Sequence, residues 1–168
     1  RADHGGRKFH DPGFKSCTKY SASVAKNVFG KTFDDLDDLV YWADIIDGAQ
    51  FADARTAVEL KEPAMRLMLV IEASHNPQLN HRIIRELQHK TLSQVVEEPE
   101  VKSRFEALYA NHFESIEIMK KLTTFQDGVV YFDVSGHNLD GHNKFISYYL
   151  YPEAVYSVGV SQSDVRSK

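Results

Sequence analysis

Residues 99–134, PEVKSRFEALYANHFESIEIMKKLTTFQDGVVYFDV, change their period part-way through, and that change sets the fold class. Val101, Phe105, Leu108, His112, Ile116, Met119 and Leu122 recur at steps of three and four, the spacing that lines one face of a helix. With Pro99 suited to a first turn, the pattern predicts a helix of about 24 residues, roughly 36 Å long. Asp127-Gly128 then reads as a turn, and Val129–Val134 as a strand. Beyond a polar loop at 135–143, Ala154–Val160 is strand-like again. Long helix followed by strands predicts an α/β chain with a domain boundary inside or near the end of that helix.

Upstream the text is helical almost throughout. Ser16 can cap a helix whose apolar face is Cys17, Tyr20, Val24 and Val28, with Gly30 as a left-handed stop. Thr32 and Asp35 suggest the start of a second helix with Leu36, Val40 and Ala43 on one face. Met65, Leu67, Met68, Leu69, Val70 and Ile71 predict a helix apolar nearly all round. Ile83, Ile84 and Leu87 predict the inner face of a short amphipathic one. Helices this apolar usually cover a sheet, so a parallel sheet is expected with its strands N-terminal to Arg1. The expected division is 1–98 as the mostly helical back part of a parallel-sheet α/β domain, 99–124 as a linker helix, and 125–168 as the start of a smaller mixed α/β domain.

Composition narrows the function classes. With 20 basic and 24 acidic side chains and a net charge of -4, the chain is neither a polyelectrolyte nor a basic nucleic-acid coat protein. Its single cysteine, Cys17, provides no disulfide framework or cysteine-rich zinc site, which fits the cytoplasm. No apolar run reaches the length of about 18 residues that a membrane span needs.

Asp47 is the most informative residue. Counted at about 100° per residue it falls about 20° from Leu36 and near Val40 and Ala43, which points it inward, with Asp44 at the edge of the same face. A buried carboxylate near a helix C-terminus is costly unless a cation lies beside it. That cation would be a metal, or else Asp47 caps the following backbone or pairs with Arg55. Asp3, His4, His10 and Asp11 form a loop cluster that suits manganese or zinc, or ordinary turn chemistry. His137, Asp140, His142 and Lys144 occupy the loop between the last strands and suit phosphate contact, or a surface turn. His112 reads as a hydrogen-bonded core histidine.

The order of the pieces resembles the DHH phosphoesterases, named for an Asp-His-His metal motif. Phe9-His10-Asp11-Pro12-Gly13-Phe14-Lys15-Ser16-Cys17-Thr18 is similar to the junction that follows that motif, and Ala43-Asp44-Ile45-Ile46-Asp47-Gly48-Ala49-Gln50-Phe51 to a Gly-Ile-x-x-Asp-Thr segment followed by Phe. The resemblance implies a metal role for Asp47, with Asp3-His4 as a remnant of the Asp-His-His motif or the true motif upstream. The early strands and a Gly-Gly-Gly-His substrate loop are absent, and Gly48 stands where the family has threonine.

What the resemblance implies is a longer parent protein, by about 100 residues or more, that hydrolyses a phosphodiester or phosphoanhydride with two divalent ions, manganese foremost. The substrate would be a small phosphorylated molecule, a nucleotide, short oligonucleotide or polyphosphate, held in part by His137, His142 and Lys144. The piece itself is expected to be inactive. A flank of the long helix offers a surface for a homodimer. The rival readings are a non-catalytic helical binding or regulatory domain and, from His10-Asp11, an HD-type metal phosphohydrolase.

Overall fold

The computed structural model describes all residues except 1, 2, 5, 6, 9–12, 75, 138, 140, 141 and 163–168. It divides into two compact units, Arg1–Phe51 and Ala52–Lys168.

In the first unit, β1 (Asp3–His4) and β2 (Arg7–Lys8) pair antiparallel, with Asp3 opposite Lys8. Helix α1 (Cys17–Phe29) opens as the sequence predicts, with Ser16 Oγ accepting from the Lys19 amide at 3.1 Å. It closes on Gly30 at φ 62, a left-handed conformation that costs glycine little. Helix α2 (Asp37–Asp47) packs on α1. Its start departs from expectation: Asp34–Leu36 form a 3-10 turn, and Leu36, without a capping side chain, stands at the N-cap. Cys17, Val28 and Phe29 are exposed, so the apolar face foreseen for α1 is covered only around half-buried Tyr20 and Val24.

In the second unit the order is α3 (Ala54–Glu59), α4 (Pro63–Glu72), α5 (Pro77–Glu86), α6 (Leu92–Val96), α7 (Pro99–Leu122), β3 (Thr123–Gln126), β4 (Val129–Asp133), α8 (Ile146–Leu150) and β5 (Tyr156–Val160). Helix α7 has the predicted limits. Within this unit it packs against α4, α6, α8 and β4. Helix α4 buries Ala64, Met65, Leu67 and Val70 and half-buries Arg66, Met68 and Leu69, in keeping with a helix apolar nearly all round; Ile71, in its last turn, is exposed. On α5 the buried pair is Leu79 and Ile83, one turn apart. Ile84, expected inside, is 57% exposed because the next residue turns away by about 100°.

The sheet is mixed, in the order β3-β4-β5, which makes the chain an α/β protein. Asp127 and Gly128, at φ 50 and 79, close the antiparallel β3–β4 hairpin with a tight turn of positive φ. Strand β5 runs parallel to β4, with Phe132 opposite Gly159 and Tyr131 opposite Val158. Parallel pairing needs a crossover, and the segment carrying α8 supplies it. Val58, Ile116, Met119, Val130, Phe132, Val134, Leu139 and Ile146 form one core cluster from α3, α7, β4, α8 and their flanking loops. His112 is 8% exposed, with Nε2 2.7 Å from the Val58 carbonyl oxygen, the hydrogen-bonded core histidine that its place on the apolar stripe predicts. Among the described residues no helix is long and apolar enough to cross a membrane.

Candidate functional site

In the first unit the buried carboxylate belongs to Asp44, at 6% exposure. Its Oδ1 accepts from the amide and hydroxyl of Ser16, each at 3.2 Å, and Oδ2 lies 2.7 Å from Lys19 Nζ. Burial alone would raise its pKa; the Lys19 hydrogen bond, with help from the Lys19 charge and Ser16, holds it below the ordinary carboxylate value of 3.8. One side chain therefore joins the N-terminus of α1 to the last turn of α2. A carboxyl depressed on folding stabilises fully above its unfolded value and loses that contribution as pH falls through the folded one. Asp44→Asn should lower the thermal midpoint by about 5 °C at neutral pH. It should also flatten the decline of stability with acid below about pH 4. Thermal melts from pH 2 to 7 check this, and an unaltered acid limb would rule it out.

Asp47 shares the face of Val40 and Ala43 but, as the last residue of α2, is exposed. Leu36, Val40 and Ala43 are themselves only half-buried, so sharing their face does not bury Asp47 at the helix end. Arg55, a sequence-level partner for Asp47, pairs with Glu59 at 3.4 Å. Among the described residues the Asp47 carboxylate makes no hydrogen bond or ion pair, and no group of three or more His, Cys, Asp or Glu is gathered as a metal site requires. Gly48 has a local reason: a Cβ there would lie 2.9 Å from the Asp44 carbonyl oxygen and 3.0 Å from Lys15 Cβ, so a threonine would not fit unless its neighbours moved. Asp3 and His4 form β1. His10, Asp11 and Asp140 lie outside the described residues, and His81 and His89 are exposed.

The second unit carries a cleft of 360 Å³ lined by Phe132, His142, Lys144, Phe145, Ser147, Tyr148, Ser157, Gly159 and Ser161. Two of the three residues that the sequence offers for substrate, His142 and Lys144, meet here; His137 is exposed and lies elsewhere. His142 Nδ1 is 2.9 Å from the Leu139 carbonyl oxygen, and its ring stands edge-on to Phe132 at 5.7 Å. A carbonyl only accepts, so Nδ1 carries a proton and Nε2 is left for a second partner. Lys144 Nζ sits 5.2 Å from the Phe145 ring centroid and has no acidic partner among the described residues. Asn143 anchors the loop, donating to the Ala57 carbonyl at 2.8 Å and accepting from the Phe145 amide at 2.9 Å. The Ser157 hydroxyl donates to that of buried Ser147 at 2.8 Å. At the end of β4, Asp133 accepts from the Ser135 hydroxyl and amide, at 2.6 and 2.9 Å, which hold its pKa low.

Sequence reasoning missed Ser147 and Tyr148 because α8, at five residues, is too short to show a period, and Asn143 because it lies in the loop before α8, where there is no period to read. Ser157 and Gly159 did leave a signal, as small residues alternating within a β-branched strand.

No family model matches the chain, and no curated protein does. Among solved structures, the pGpG-specific phosphodiesterase PggH from Vibrio cholerae matches with a TM-score of 0.69 over 89% of this chain. The fold resembles that of a phosphodiesterase. The two sequences are 22% identical, a likeness of fold, and the match covers 55% of PggH, so the chain spans about half the length of that neighbour.

Proposed function

We propose that the chain is part of a divalent-metal-dependent hydrolase that cleaves a phosphodiester in a small nucleotide. The observation that carries this reading is the likeness in fold to a pGpG-specific phosphodiesterase over 89% of the chain. The DHH-like order of segments around Asp47 points the same way, and the cleft holding His142 and Lys144 gives it a place for a phosphorylated ligand. In this reading 1–98 belongs to the catalytic domain, 99–124 connects, and 125–168 begins the part that holds substrate.

Asp47 suits one metal-ligand position, because its exposed carboxylate offers the oxygen donors that hard divalent ions such as manganese take. Asp44 does not, since Ser16 and Lys19 already occupy both of its oxygens. The described residues gather no group of three ligands, so a metal pair would need ligands from beyond this sequence as well. Asp3 and His4 are the candidates within this sequence. This chain's own contribution to substrate handling would be Lys144 neutralising a phosphate and His142 offering Nε2 to a polar group of the nucleotide.

The test is manganese-dependent cleavage of pGpG and of a generic phosphodiester by the longer protein, with Asp47→Ala alongside. Activity should require the metal, and the variant should lose at least about 100-fold in kcat/KM, by analogy with removal of a charge-stabilising group. Full activity in Asp47→Ala would remove Asp47 from the site. Absence of cleavage with any divalent ion would favour a non-catalytic binding domain.

A further inference from the structure

Three side chains from distant parts of the second unit converge on the last turn of α3. The final carbonyls of a helix have no intrahelical partner, so this end needs donors from outside, and it is buried: Ala57 and Val58 are each 1% exposed. Asn143 Nδ2 donates to the Ala57 carbonyl oxygen at 2.8 Å, and His112 Nε2 lies 2.7 Å from that of Val58. The Tyr149 hydroxyl donates to the Glu59 carboxylate at 3.4 Å. Leu60 closes the helix at φ 52, a left-handed conformation that a bulky side chain rarely takes. The turn is held at once from the loop before α8, from α7 and from α8.

We infer that Asn143 is a positioning residue, which seats the turn carrying His142 and Lys144 on the end of α3. Its side chain acts at both ends. Oδ1 accepts from the Phe145 amide at 2.9 Å, and the Asn143 main-chain carbonyl accepts from the Ile146 amide at 3.1 Å, local bonds of the kind asparagine makes in turns. These shape the turn without saying where it lies. The Nδ2 bond is of another kind, because it reaches a residue 86 positions back in the chain.

The residues on either side depend on that bond. His142 is bonded to Leu139, and Lys144 lies over Phe145; both partners belong to the same short segment, so His142 and Lys144 move with it. Asn143 fastens the segment to a helix end that His112 and Tyr149 hold from other elements. A seat fixed from several sides keeps a binding group in place better than a loop resting on its own turn. The inference deepens the proposed function and rests on it only for the kinetic part of its test.

Long-range proton–nitrogen NMR spectra of the 168-residue chain, at alkaline pH where an imidazole is neutral, read which nitrogen of His142 carries the proton. The parent should hold it on Nδ1, and Asn143→Ala should move it toward Nε2, the site a free imidazole prefers. Asn143→Asp is the sharper variant: it keeps an oxygen for the Phe145 amide but has no proton for Ala57, and it should behave like Asn143→Ala. In the parent, one proton of the Asn143 side-chain amide should exchange slowly with water, a reading that needs no variant to fold. In the longer protein both variants should raise KM for pGpG about fivefold and leave kcat within about twofold, the split expected of a group that aligns binding residues and touches no reacting atom. Asn111→Ala, an exposed asparagine on α7, should change neither reading. A His142 proton that stays on Nδ1 in both variants, an Asn143→Asp chain that matches its parent, two freely exchanging Asn143 amide protons, or an unmoved KM in a protein that does cleave would each overturn the inference. Should the longer protein cleave nothing, the proposed function falls and the NMR readings still decide the role of Asn143; cleavage with His142 unmoved in the variants removes that role and leaves the function standing.

Discussion

Gly159→Val is expected to destabilise the second unit by about 1–3 kcal/mol, although valine is the better strand former. A Cβ built at Gly159 lies 2.9 Å from Phe132 Cε1 and nearer still to Cζ and Cε2, so the ring already fills the space a side chain would take. Phe132 is the cross-strand partner of Gly159 and belongs to the core cluster. It can yield only by pushing inward or by swinging into the cleft, and both routes cost packing. Urea unfolding followed by far-UV circular dichroism reads the loss; the single tryptophan, Trp42, lies in the first unit and is the wrong reporter. Phe132→Leu in the same chain should recover part of the loss, a coupling between neighbours that a double-mutant cycle isolates. A Gly159→Val chain as stable as its parent would show that the ring does not fix this position.

Met119→Ala should cost about 2–5 kcal/mol. Met119 is 0% exposed and lies in the cluster with Ile116, Val130 and Ile146, where the helix and sheet layers meet. Its removal leaves a void bounded by elements fixed from several sides, and such sites collapse least. Met119→Leu, close in volume, should cost less than about 1.5 kcal/mol. Ile84→Ala, on the exposed side of α5, should stay within about 0.5 kcal/mol of the parent. The same urea series checks all three. Equal losses for Met119→Ala and Ile84→Ala would contradict the core described here.

What the sequence disclosed follows from how locally each feature is encoded. The Ser16 cap, the Gly30 stop, the limits of α7 and the Asp127-Gly128 turn depend on a few adjacent residues, and each stands where reading along the chain puts it. The place of His112 needed only a long, regular stripe. The errors come where a helix face is legible but what covers it is not. Asp47 lies on the Val40 and Ala43 face, as the spacing puts it, yet ends the helix exposed, and Asp44 takes the buried position. Ile84 was placed inside because a short helix permits more than one face. For the cleft, His142 and Lys144 were legible as polar groups in one loop, whereas α8 and the parallel register that brings Ser157 and Gly159 beside them depend on contacts far apart in sequence.

The mixed order of the sheet also fixes a sequence of events in time. The β3–β4 hairpin closes through a two-residue turn, a local step on the scale of about 1–10 μs. Strand β5 can join only after the interval from Asp133 to Tyr156 has been gathered in, and such distant pairing is slower. The cleft, which takes Ser157, Gly159 and Ser161 from that last segment, therefore needs the β4–β5 pairing and is lost when β5 detaches. Its occupancy is tied to the lifetime of one parallel strand pair, and a ligand seated there would act as a clasp on the β5 edge of the sheet.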